Sequence, residues 1–224
     1  MDEPIRVCLE RAVPLQRAEE LALTNFWPQQ TALRVGFLGG NDFLRGKVRQ
    51  FAVQWNEFSS VTFGFVDDGQ PAEIRVAFEP DGTSWSALGT DALNAEWFPA
   101  NTMNFGWFTP ETDDAEFERV IVHEFGHALG CIHEHQSPAG GIPWNKAKVY
   151  EYYAARGWDK ARVDQNIFRK WEMDQSQYSV FDPASIMLYP VPAALTEGKF
   201  EVGWNTRMSA MDKQFIAAKY PRDK

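Results

Sequence analysis

Three of the chain's four histidines fall in one short stretch. It reads His123-Glu124-Phe125-Gly126-His127-Ala128-Leu129-Gly130-Cys131-Ile132-His133, of the form H-E-x-x-H-x-x-G-x-x-H. Residues four apart share a helix face, about 5–6 Å apart at Cβ, so His123 and His127 can address one ion. Neutral imidazole suits Zn2+, which takes about four ligands in a tetrahedron. Gly130 can enter the left-handed conformation, end the helix and turn the chain sharply. The turn can bring His133 round as a third ligand, where a continuing helix would carry it away. Three protein ligands leave one position open for water, the mark of a catalytic rather than a closed site, and zinc lowers the pKa of that water to about 7. Glu124, next to the first ligand, is placed to take the proton as general base. The plain alternative is a buried helix whose histidines are satisfied core residues. That alternative needs three histidines, a glutamate and a glycine to fall into place by accident, and the full pattern is far more specific than H-E-x-x-H alone.

The pattern resembles that of the metzincin metalloproteases. Glu134-His135-Gln136 follows at once, and the resulting H-E-H resembles the astacin branch; further on, Ser185-Ile186-Met187-Leu188-Tyr189 resembles the astacin Met-turn, S-I-M-x-Y. The resemblance runs from about Trp27 to Tyr220. It implies a zinc-dependent endopeptidase with one catalytic Zn2+. Met187 would form the hydrophobic floor beneath the zinc, and Tyr189 would be a tyrosine that ligates zinc and then swings to stabilise the oxyanion. Glu134 would be the acidic residue that meets a new amino terminus once a pro-segment is cut away. Without the resemblance, Met187 and Tyr189 read as core packing and Glu134 as a solvated charge. The resemblance also implies that residues 86–97 include an edge strand above the zinc, although a plain loop reads equally well there. Such an edge would bind an extended protein or peptide substrate through sequence-tolerant main-chain hydrogen bonds. Residues 190–204 would form part of the pocket for the side chain after the scissile bond.

Composition sets limits on the rest. With 224 residues and 44% hydrophobic content, one domain or two small lobes with a sizeable core is expected. A net charge of −9 with no lysine or arginine run argues against nucleic acid as a partner. No apolar run approaches a membrane span, no calcium loop is recognisable, and a monomer is expected. The two cysteines, Cys8 and Cys131, make no disulfide framework, which departs from the more heavily bridged astacins; they could pair with each other or stay reduced. The first residues lack the basic start and apolar run of a secretory leader. The expected location is therefore cytoplasmic, or outside the cell by another route or after loss of a leader. Residues 1–26 exceed what a mature astacin needs and read as a pro-like or latency segment. Cys8 within it is a candidate zinc ligand for latency, since thiolate binds zinc well. The other readings are a small buried apolar residue or a Cys8–Cys131 bridge.

The elements that must position the site follow from periodicity. Leu33/Val35/Phe37, Val61/Phe63/Phe65, Ile74/Val76/Phe78 and Met103/Phe105/Trp107 alternate as half-buried strands. Gly39-Gly40-Asn41-Asp42 breaks the first of these and supplies an N-cap for a helix with Phe43, Leu44, Val48, Phe51, Ala52 and Trp55 at helical spacing. Gly82-Thr83-Ser84-Trp85 reads as a turn. Asp113 with Glu116 reads as an N-cap with a capping-box partner, opening a zinc helix that buries Phe117, Val120, Ile121, Phe125, Ala128 and Leu129. A proline- and glycine-rich run at 137–143 marks a boundary between lobes. Helices are expected at 15–23, at 145–156 capped by Asn145, somewhere in 159–177, and from a Ser209/Asp212 cap to Tyr220. The expected fold is α+β and metzincin-like. A twisted mixed sheet with two long helices forms the upper lobe (27–133), an irregular helical lobe lies below (134–224), and the cleft runs between. In the expected mechanism zinc and Glu124 activate water, zinc and Tyr189 hold the oxyanion, and Glu124 returns the proton to the leaving amine. Two other readings share the motif: a zinc hydrolase of another amide, such as a cell-wall peptide, and a peptide-binding relative that does not cleave.

Overall fold

The computed structural model describes residues 8–11, 25–170 and 180–222. Six strands form one sheet: β1 (Cys8–Arg11), β2 (Ala32–Phe37), β3 (Thr62–Phe65), β4 (Ile74–Ala77), β5 (Ser84–Ala87) and β6 (Met103–Phe105). Their spatial order is β1-β5-β6-β4-β2-β3. Every pairing is parallel except β5 with β6. The alternation in β2 works as the sequence suggests, with Leu33, Val35 and Phe37 buried and Arg34 turned outward to pair with Glu73.

Two helices back the sheet. In α1 (Asp42–Ala52) the Asn41 side chain accepts the Leu44 N–H at 2.9 Å, and Leu44, Val48, Phe51 and Ala52 are buried. In α2 (Asp114–Ala128) the Asp113 carboxylate accepts the Glu116 N–H at 2.8 Å. Half of the expected capping box is absent, because the Glu116 carboxylate turns inward to Arg119 and to Trp107 Nε1. A buried arginine needs a counter-charge more than the helix end needs a second acceptor. Phe125 of α2 meets Phe63 of β3 edge-on at 4.7 Å between ring centroids, and Trp55 Nε1 donates to the Val122 carbonyl at 2.9 Å. The zinc helix is thereby fixed to both the sheet and the segment after α1.

Two kinds of strand reading need correction. Ser84 and Trp85 lie in β5 rather than in a turn, and at strand ends Val61, Phe78 and Trp107 lie just outside β3, β4 and β6. All four β5 residues are buried, so no polar–apolar alternation marks the strand. β5 is covered along its outer edge by β1, paired in parallel from Cys8↔Ser84 to Arg11↔Ala87. Of the 86–97 segment, only its first residues are strand; a 3₁₀ turn (Gly89–Leu93) follows.

Past His133 regular structure thins. There are α3 (Lys146–Ala154), a short α4 (Lys160–Val163) running into a π turn (Asp164–Phe168), and α5 (Ala210–Lys219). Asn145 caps α3 by accepting the Lys148 N–H at 3.1 Å. Ser209 and Asp212 form the complete capping box of α5. The expected helix at 15–23 and the stretch 171–177 lie outside the described residues. One apolar core runs from the sheet through α2 to Met187, Tyr189 and α5; Ile142, Leu188 and Val191 form a small separate cluster.

Candidate metal centre and active site

The histidines are assembled by one helix and one turn. His123 and His127 lie on the buried face of α2. At the helix end Gly130 has φ +93°, and a Cβ there would stand 3.0 Å from Phe26 Cδ1 and 3.1 Å from the Asn25 carbonyl. The position therefore requires glycine on both conformational and packing grounds. The turn closes with Gly130 N–H on His127 O at 2.8 Å and Cys131 N–H on Gly126 O at 3.0 Å. His133 then comes back beside the helix, with its ring centroid 4.5 Å from that of His127.

The hydrogen bonds fix each tautomer. His123 Nδ1 faces the Ile186 carbonyl at 2.8 Å, His127 Nδ1 the Cys131 carbonyl at 2.7 Å, and His133 Nδ1 the Gln136 Oε1 at 3.3 Å. An oxygen acceptor demands the proton on Nδ1, which leaves the Nε2 lone pairs for a ligand. The ligand atoms of the three histidines lie within 4.8 Å of one another. His127 Nε2 and His133 Nε2 are 3.1 Å apart, and two lone pairs facing at that distance repel unless a cation lies between them. His123 Nε2 is buried with no hydrogen-bond partner among the described residues. The residues fit a zinc ion: three neutral imidazoles converge from one side, and none of their ligand nitrogens carries the proton. Burial holds His127 down to about 4; His123 and His133 are pushed well below the ordinary imidazole range, first by burial and then by the neighbouring His127.

Glu124 is fully buried on the same helix, and no N–H or O–H of the described residues reaches either of its oxygens. Burial pushes it up to about 8, with the Cys8 thiol and Arg119 acting in the opposite direction. A divalent charge beside it would favour the ionised form. Met187 lies beneath the helix: a Cβ on Gly126 would meet its Sδ at 2.5 Å, so the glycine inside H-E-x-x-H is what lets the methionine approach. Tyr189 packs against His133 at 4.3 Å, tilted by 46°, and stacks on His123 at 5.9 Å between ring centroids. Glu134 is not a solvated charge; its Oε1 accepts the Asp182 N–H at 2.8 Å, and burial raises it to about 7.

Cys8 arrives from β1. It is 1% exposed, and its sulfur, a Glu124 oxygen and a His123 ring nitrogen lie within 4.8 Å of one another. Burial, and next the Glu124 charge, raise its thiol well above the ordinary range. Cys8 and Cys131 are both unpaired, so the Cys8–Cys131 bridge does not form. Three further residues border the site, two without an expected role and Asp212 in addition to its expected cap. His135 is buried, stacks on Tyr189 at 4.9 Å and faces the Asn166 carbonyl through Nε2 at 2.8 Å. Arg119 lies one turn before His123 with its guanidinium 4.1 Å over the Trp204 ring. Asp212 accepts hydrogen bonds from the Met-turn. The H-E-H triplet and the four-residue offset of Arg119 from His123 are sequence signals for the first two.

The relatives agree with this geometry. A structure of myroilysin shares 48% sequence identity, covers 90% of this chain and 98% of its own, and superposes with a TM-score of 0.86. The chain belongs to the astacin-like metzincin zinc proteases, in the family of myroilysin. It is a zinc-dependent endopeptidase with one catalytic zinc, built on the family's α+β fold. A crystal structure of myroilysin matches at 44% identity over 98% of this chain and 93% of that one, with a TM-score of 0.71. High choriolytic enzyme 1, a hatching enzyme zinc-protease of the medaka fish Oryzias latipes, shares the fold at 16% identity and a TM-score of 0.61, covering 88% of this chain and 94% of its own. No protein-family model and no curated protein matches the chain.

Proposed function

We propose that the chain as a whole is this endopeptidase in a latent form, with residues 1–26 as the blocking segment and 27–224 as the catalytic part. The observation that carries the reading is the pairing of β1 along the outer edge of β5, with the Cys8 side chain against Glu124 and His123. A peptide substrate would add to that same edge in extended form and take its affinity from main-chain hydrogen bonds. While β1 lies there it cannot do so. The cleft divides an upper lobe, 27–133, from a lower one, 134–224.

In the active form His123, His127 and His133 hold the metal through Nε2, each oriented by its Nδ1 hydrogen bond. Zinc, when bound, supplies a Lewis acid for a peptide carbonyl and makes a water acidic near neutral pH. Glu124 takes a proton on its carboxylate and delivers it to the leaving amine, and its burial keeps that proton from bulk solvent. The Tyr189 hydroxyl donates to the oxyanion as charge develops there. Met187 closes the site from beneath and Glu134 pins the lower lobe to it. The partner is a protein or peptide. The charge of −9 argues against nucleic acid, and no helix among the described residues is long and apolar enough to cross a membrane. The enzyme works as a monomer.

The test is digestion of a diverse peptide mixture, with cut sites read by mass spectrometry, by the full chain, by the full chain carrying Cys8→Ser, and by each with a zinc chelator. Internal cuts that the chelator abolishes and that rise sharply with Cys8→Ser are expected. Equal cutting by the two chains would refute latency through Cys8, and an absence of cuts in both would refute peptide hydrolysis by this form.

A further inference from the structure

We propose that Asp212, at the start of the last helix, is a positioning residue for the zinc site that sets the ring of His123 through the Met-turn. In α5 Asp212 is the capping-box partner of Ser209: its N–H donates to Ser209 Oγ at 2.9 Å, and its Oδ2 accepts the Ser209 N–H at 2.8 Å. A capping box needs no more than that. Here the carboxylate does more. Its Oδ2 also accepts the Ile186 N–H at 2.9 Å, and its Oδ1 accepts the Ser185 hydroxyl at 2.7 Å. Ser185 Oγ in turn accepts the Met187 N–H at 3.0 Å. Two successive peptides of the turn are therefore held, one directly and one through a hydroxyl, by a single carboxylate from a helix that begins more than twenty residues later.

On its other side Ile186 presents its carbonyl to His123 Nδ1 at 2.8 Å. Asp212 grips the peptide before Ile186, and His123 is gripped by the peptide after it. The tilt of the His123 imidazole, and with it the direction of its Nε2 lone pair, follows the position of that carbonyl. Such outer partners orient ligands and tune the metal. Asp212 is 9% exposed, so water replaces a lost bond there poorly. Asparagine in its place keeps one acceptor and turns the other into an NH2 group, which either confronts the Ile186 and Ser209 N–H groups or reverses the bond with Ser185, whose hydroxyl must then accept instead of donate.

The opposite end of α5 provides the comparison. The Tyr220 hydroxyl donates to the Leu129 carbonyl at 2.8 Å and accepts the Trp27 N–H at 3.1 Å. Those bonds brace the end of α2 without touching a ligand ring. Tyr220→Phe removes these two buried hydrogen bonds at the end of the same last helix and serves as the purely structural counterpart.

The experiment measures the rate at which the zinc-loaded full chain releases its metal to a chromophoric chelator, with thermal midpoints taken on the same samples and visible spectra on the cobalt-substituted chain. Asp212→Asn is expected to release zinc about 10-fold faster, the lower end of what loss of an outer partner produces, and to shift the cobalt bands. Tyr220→Phe is expected to lower the midpoint comparably and to leave zinc release and the cobalt bands unchanged. Ser185→Ala, which cuts one of the two links and keeps the capping box, is expected to accelerate release in the same direction by less, and it decides the question if Asp212→Asn does not fold. Parental release from Asp212→Asn, or from Ser185→Ala in its place, would overturn the proposal. Acceleration by Tyr220→Phe equal to that of Asp212→Asn would overturn it too, since the role would then be structural only.

Discussion

The two halves of the site are built by different means. Before Gly130, His123, Glu124 and His127 stand on a helix whose own residues Phe117, Val120, Ile121, Val122 and Phe125 are all 0% exposed. Side-chain packing over a sheet holds that helix, and packing is shared among many contacts. Beyond His133 the site rests on loops; Ile186, Met187 and Tyr189 of these reach the core, and the rest is held by a set of single polar anchors. Lys170 Nζ donates to the carbonyls of His135, Ser137 and Gly140 at 2.7, 3.0 and 2.8 Å. Asn205 Nδ2 donates to the carbonyls of Pro183 and Ser185 at 2.9 and 2.8 Å. Ser209 Oγ donates to Asp182 Oδ2 at 2.6 Å. A packed framework tolerates small changes and fails globally; a pinned loop fails locally, one anchor at a time.

The sharpest form of the contrast is chemical. Glu124 comes from the helix and Tyr189 from the loops. Replacing Glu124 with Gln in the chain carrying Cys8→Ser should reduce kcat/KM toward 10⁴-fold, the upper range for a general base, while zinc stays bound at one equivalent. Replacing Tyr189 with Phe should reduce it by about 10²-fold, as for one oxyanion donor. Metal content and peptide turnover check both. If Tyr189→Phe cost as much as Glu124→Gln, the division of labour between helix and loop would be wrong.

Stability should follow the same division. Phe125→Ala, which empties a fully buried ring position against Phe63, should lower unfolding stability by about 3–5 kcal/mol, in a single cooperative transition followed by circular dichroism and by tryptophan fluorescence. Gly130→Ala sits at the seam between the halves. With φ at +93° it should cost about 1–3 kcal/mol of strain, and since the turn delivers His133, zinc release should quicken with it. A Gly130→Ala protein with parental stability and parental zinc release would show that the turn can close another way.

The same division explains what the chain discloses before it folds. The zinc helix, α1, and strands β2, β3 and β4 announce themselves, because a side chain's inward or outward direction repeats with the element's period and the residues obey it. The three histidines are equally legible, since helix geometry and one glycine suffice to bring them together. β5 is not legible: it is covered on both edges and buried on both faces, so Ser84 and Trp85 carry no alternation and resemble a turn. The grip of Asp212 on the Met-turn, beyond its expected cap, and the role of Lys170 are hidden for a different reason. Each acts on residues far along the chain or across an irregular turn, through backbone carbonyls and amides that every residue possesses. Residue type alone cannot say which carbonyl a lysine will find. The Glu116 carboxylate shows the reverse error, where a local capping rule fitted the spacing but a buried arginine three residues on took the side chain.

Lys170 gives the gentlest test of the contrast. Its ammonium holds three carbonyls that would otherwise diverge in the segment directly after His133, and it is drawn below its ordinary pKa by burial, with Glu134 acting against that. Lys170→Met keeps the aliphatic stem and removes the three donors. The expected loss is about 1.5–3 kcal/mol, the range for a hydrogen bond to a charged group, because water can reach part of the loop and replace some of what is removed. That loss should appear locally. Amide exchange at residues 134–141 should rise while exchange in α2 stays at the parental level, and a broad-specificity protease should nick the chain near Gly140-Gly141 without a change in the global midpoint. If the midpoint instead fell as far as for Phe125→Ala, with exchange rising across α2, the lower half would be part of the same cooperative unit as the helix, and the two regions would differ in appearance but not in how they are held.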